Sequence, residues 1–73
     1  MVRDLLKNAA QKLSESESPM LDARVLLAAA MGKSDAALIF EYPKEDELAL
    51  FNEYIEKRAK GIPVAYILGQ KEF

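Results

Sequence analysis

Seventy-three residues make one small domain, and with no cysteine or histidine the chain has no disulfide, no thiolate metal site and no ordinary general base near neutral pH. A hydrophobic share of 51% excludes a disordered chain, but one this short buries only about 60% of its unfolded surface, so its apolar core must hold it together unaided. Ten basic and twelve acidic residues, interspersed to a net charge of −2, argue against a broad phosphate-binding surface.

The first predicted element is an amphipathic helix over residues 2–13, where Leu5, Leu6, Ala9, Ala10 and Leu13 recur at helical spacing. The serine–glutamate run at 14–18 breaks it and reads as a solvated loop. Ser18 is placed to cap the next helix, with Pro19 at its first position and Asp22 near the positive end of its dipole. Ala23, Leu26, Leu27, Ala30 and Met31 form the inward face of that helix. Val25, Ala28 and Ala29 make it apolar nearly all round, which predicts a central position in a bundle. Met20 and Met31 read as core gap-fillers, and Gly32 as the left-handed residue that ends the helix.

A short third helix is expected over "DAALIFEY", residues 35–42, stopped before Pro43. The fourth, from about Lys44 to Lys60, has Leu48, Phe51 and Ile55 in one apolar row. Its first turn is acidic (Glu45, Asp46, Glu47) and its last basic (Lys57, Arg58, Lys60), matching the dipole. Gly61 terminates it. Pro63 can open one more short helix through "VAYIL" to Gly69, although "YIL" suits a strand start equally well. Tyr42, Tyr54 and Tyr66 read as amphipathic edges of the core. The fold class is therefore all-α, a small bundle of four or five helices centred on Leu26, Leu27, Phe51 and Ile55. Residues 1–61 form the bundle; residues 62–73 form a short helix and linker.

The residues offer no assembled chemistry. The glycines at 32, 61 and 69 are isolated, and the acidic positions 45–47 point apart around a helix, so neither a phosphate loop nor a metal cluster is expected. Asp35, Ala36, Ala37 and Glu41 would be poor readers of bases, so no direct nucleic-acid contact is expected. The longest apolar run, "VLLAAAM", is too short to span a bilayer, and no signal peptide opens the chain, so a cytoplasmic monomer is expected. Arg58 and Lys60, beside "GIPVAYILG", complement the helix dipole and can also meet an anionic partner. From the residues alone this is a helical interaction domain without its own active site.

The segment "EKRAKGIPVAYILGQKEF", residues 56–73, resembles the junction between the two domains of the HemK/PrmC family of peptide-chain-release-factor glutamine methyltransferases. Arg58, Gly61, Pro63, Ala65, Tyr66, Ile67, Gly69, Glu72 and Phe73 carry that resemblance. "SPMLDARVLLAAAMGKS", residues 18–34, is similar to the family's Ser-Pro, Asp-Ala, Leu-Leu and Gly-Lys/Arg-Ser pattern. The resemblance implies an N-terminal domain that helps to recognise a release factor. A following domain would bind S-adenosylmethionine, carry an Asn-Pro-Pro-Tyr motif and methylate the glutamine of the Gly-Gly-Gln motif.

None of that machinery lies in these residues, so no catalytic, cofactor-binding or metal position is assigned. The parent would be the enzyme. Candidate contacts to the catalytic domain or the release factor are Arg58, Lys60, Tyr66, Gln70, Glu72 and Phe73. The resemblance implies that the apolar end at Phe73 is continued by the catalytic domain; the other possibility is that this end folds onto its own core. Val64, Tyr66 or Ile67 should pack on the bundle, with Gln70–Phe73 mobile in isolation. The alternative function is a free-standing helical adaptor that binds a partner in a groove.

Overall fold

The structure, a computed structural model, describes residues 2–69. Within them the chain forms α1 (Val2–Lys12), α2 (Pro19–Met31), a 3-10 helix (Asp35–Ile39), α3 (Glu45–Ala59) and α4 (Val64–Gly69), with no strand. The fold is the expected all-α bundle, and the segment around Tyr66 to Leu68 is helix rather than strand. Pro63 supplies the first acceptor of α4, its carbonyl taking the amides of Tyr66 and Ile67 at 3.0 and 3.1 Å.

Helix α2 is the centre, packed by α1, α3, α4 and the 3-10 helix. Its Ala23, Leu26 and Leu27 are fully buried against Leu6, Ala9 and Leu13 from the α1 side and Phe51, Tyr54 and Ile55 from α3. Leu38 and Ile67 close the same core from the 3-10 helix and α4. The small side chains of Ala9, Ala23 and Ala30 let the helices approach, while Phe51 fills the middle.

The exits of α2 and α3 are Schellman turns. The amide of Lys33 bonds Ala28 O (3.0 Å) and that of Gly32 bonds Ala29 O (3.1 Å), with Gly32 at φ +67°. The same pattern recurs at Gly61, φ +98°, where the amides of Ile62 and Gly61 bond Lys57 O and Arg58 O. A Cβ on Gly32 would meet no atom within 4 Å, so only backbone strain opposes a larger residue there. Gly32→Ala should therefore cost about 1–2 kcal/mol. A urea titration showing no loss of stability would contradict this account of the turn.

Three local expectations need correction. The third helix is one 3-10 element that stops at Ile39, because a segment so short cannot repay nucleation and Pro43 drives Tyr42 away from helical geometry. Past Ile39 the amides of Phe40 and Glu41 both bond Ala37 O, at 3.1 and 3.0 Å, and the Lys33 ammonium bonds the Glu41 carboxylate across the loop. Ser18 stands at the start of α2 but its hydroxyl caps nothing. Finally, α2 is not enclosed on all sides: Met20 is 42% exposed and Leu21 and Val25 are exposed as well. A chain of this size has too few helices to surround its central one. Met31 alone of the two methionines fills the core.

The start of α3 carries a device the sequence reading missed. The Glu47 carboxylate accepts the Lys44 backbone amide at 2.8 Å, the reverse half of a capping box. Lysine, being only a donor, cannot supply the other half.

Candidate functional site

Two surface features combine residues from separate elements. The first is a polar joint. The last turn of α3 presents Arg58, the first turn of α2 presents Asp22, and the α1–α2 loop presents Ser16. Arg58 Nε donates to Asp22 Oδ2 at 2.9 Å, and Ser16 Oγ donates to the same oxygen at 2.6 Å. Arg58 Nη2 stands 3.5 Å from Ser16 Oγ, which also accepts the Ser18 amide at 3.1 Å. Ser16, not Ser18, thus ties the loop to the first turn of α2 through its hydroxyl.

The Arg58 and Asp22 side chains are 22% and 16% exposed. Exposed ion pairs contribute about 0–1 kcal/mol, whereas hydrogen bonds to charged groups contribute about 1.5–3 kcal/mol. Partial burial and the shared serine place this joint nearer the second class. A cleft of about 200 Å³ lies beside it, lined by Lys12, Leu13, Ser14, Ser16, Arg58 and Gly61 among others.

The second feature is a larger open groove of about 970 Å³ between the first turn of α1, α2 and the segment around the 3-10 helix. Val2, Leu6, Met20, Leu38, Phe40 and Tyr42 give it an apolar floor and wall, and Arg3, Asp4, Arg24 and Glu41 are charged groups at the same site. Phe40 is 85% exposed, a large apolar side chain outside the core. Such a groove suits contact with a protein surface or helix. Glu41 is committed to Lys33, whose pKa is raised chiefly by that hydrogen bond; desolvation opposes the rise, and the charges of Glu41 and Glu47 add to it.

The candidate contact residues fall in different settings. Arg58 is engaged by Asp22, while Lys60, at the end of α3, and Tyr66, 69% exposed on α4, face solvent. Ile67, next to Tyr66, takes the core position. Gln70, Glu72 and Phe73, with the mobility expected of residues 70–73, lie outside the described residues. Among the described residues no group of three or more acidic or metal-ligating side chains is placed to hold a metal ion, and no helix is long and apolar enough to cross a membrane.

In the sequence Asp22 reads only as a complement to the α2 dipole, Ser16 only as part of a solvated loop, and Met20 as core rather than groove lining. Asp22 and Arg58 each lie in one of the two stretches that carry the family resemblance, but 36 positions apart no spacing rule pairs them. Phe40 sits where proline interrupts helical periodicity, so no face could be assigned to it, and of the three tyrosines read as core edges only Tyr54 is buried, Tyr42 and Tyr66 being exposed.

The family model for the PrmC N-terminal domain matches residues 4–69. The chain is 42% identical to a release factor glutamine methyltransferase of Coxiella burnetii, over 99% of this chain and 27% of the relative. It is 39% identical to that of Aliivibrio fischeri over 99% and 27%, and 41% identical to that of Rhodopirellula baltica over 80% and 21%. The chain spans about a quarter of the length of the curated relatives it matches. No solved structure matches it.

Proposed function

The chain belongs to the family of PrmC N-terminal domains, and from that premise we propose that it is the substrate-recognition domain of a methyltransferase that modifies release factors in the cytoplasm. The observation that carries this reading is the near-complete match of this chain to one quarter of proteins named release factor glutamine methyltransferase. In it, these helices dock the release factor, and a catalytic domain beyond residue 73 binds S-adenosylmethionine and methylates the Gly-Gly-Gln glutamine. Residues 62–73 are then the passage between the two. Lys60 and Tyr66, both exposed, are available for contacts at that passage, as Gln70, Glu72 and Phe73 would be.

Division of labour between docking and chemistry has a kinetic signature. Binding energy from a part of the substrate remote from the reacting amide raises kcat/KM for the whole factor only. Methylation should therefore be compared between the longer protein and a version lacking residues 1–69. On an intact release factor kcat/KM should fall by about tenfold or more, equivalent to at least about 1.4 kcal/mol of lost recognition. On a short Gly-Gly-Gln peptide the two should agree, which also shows that the truncated enzyme is folded. Equal values on the intact factor would refute the recognition role.

A free-standing adaptor is the second reading, favoured by the exposed groove around Phe40. It differs in requiring no catalytic continuation. A coding frame that ends near residue 73 in the native gene would favour the adaptor.

A further inference from the structure

We infer that the Arg58–Asp22–Ser16 joint sets the direction in which α4 leaves the bundle, making Arg58 and Asp22 positioning residues for whatever follows it. Arg58 acts at both levels of structure. Its guanidinium grips the first turn of α2 through Asp22. Its carbonyl accepts the Gly61 amide at 3.0 Å in the turn that redirects the chain, while Lys57 O accepts the Ile62 amide at 3.2 Å. One residue thus anchors the end of α3 and shapes its exit.

Helix α4 has only six residues, too few to be stable by itself. Its own attachment is apolar: Ile67 is buried, and Val64 and Leu68 pack partly against the core. That contact holds the helix down but is non-directional. The planar guanidinium, fixed against a carboxylate oxygen and close to the serine hydroxyl, supplies the missing orientation. Without the joint, the last turn of α3 can fray, and Gly61, Ile62 and Pro63 move with it. Leu27, Phe51 and Ile55 are held by other contacts and stay in place.

Amide hydrogen exchange and residual dipolar couplings on the 73-residue chain test this. Asp22→Asn keeps the side-chain shape and removes the charge. The Tyr66 and Ile67 amides, both bonded to Pro63 O, should then exchange about tenfold faster, as expected for losing a charged hydrogen bond. Exchange at Leu27 and Ile55 should change far less, and the α4 couplings should no longer fit the alignment of α2 and α3. Ser16→Ala should act in the same direction with a smaller effect, and decides the matter if Asp22→Asn fails to fold. Unchanged α4 amides would overturn the inference. So would an equal acceleration at every helix, since the joint would then add only general stability.

Discussion

Phe51→Ala is expected to lower the stability of this domain by about 3–5 kcal/mol, the usual cost of removing a buried aromatic side chain. The aromatic ring of Phe51 has no solvent exposure, and it lies in the same core cluster as Leu26, Leu27 and Ile55. Alanine would leave a void the size of a ring, and helices fixed by short loops and two glycine turns have little freedom to collapse into it. Typical domains have only about 5–15 kcal/mol in total. With 73 residues this one stands near the lower end, so the variant should lose most of its reserve. Urea melts followed by circular dichroism give the difference directly, with Phe51→Leu as a control that retains most of the volume. A loss below about 1 kcal/mol for the alanine variant would mean that Phe51 is not the centre of the core.

That centre was legible in the sequence because burial in a bundle follows helical spacing. Leu26, Leu27, Phe51 and Ile55 each stand at the middle of an apolar face, and all four are buried. The helix ends at Gly32 and Gly61 were equally legible, since a left-handed residue after an apolar run is a local requirement. Exposure of an apolar side chain was not. Periodicity says which face of α2 is apolar, but not whether any element remains to cover Met20 or Val25. The same limit hid the groove around Phe40. The joint at Arg58 was illegible for a different reason: ion pairing between the ends of two helices depends on how they cross, which no spacing rule encodes. Three serines alternate before α2, and proximity favours Ser18 as the cap. Only the three-dimensional path of the loop turns Ser16 toward Asp22.

Incubated with S-adenosylmethionine and an intact release factor, the 73-residue chain is expected to transfer no methyl group above a buffer control. Under the proposed function this is the largest effect of all, because it separates recognition from chemistry. Methyl transfer requires the donor methyl and the amide nitrogen to be held about 3–3.5 Å apart and in line, an advantage worth about 7–11 kcal/mol of the barrier. Holding a nucleoside-bearing donor calls for a backbone cradle, yet Gly32 and Gly61 are spent on ending helices. No Asn-Pro-Pro-Tyr sequence is present to grip an amide. The groove bounded by Val2, Met20, Phe40 and Tyr42 is open and largely apolar, a surface for docking rather than for aligning two reactants. A binding measurement run beside the assay separates the two halves of the proposal. Release-factor binding without transfer is the expected pair of results. Label on the Gly-Gly-Gln glutamine above background would place the chemistry within these helices and end the division of labour argued from them.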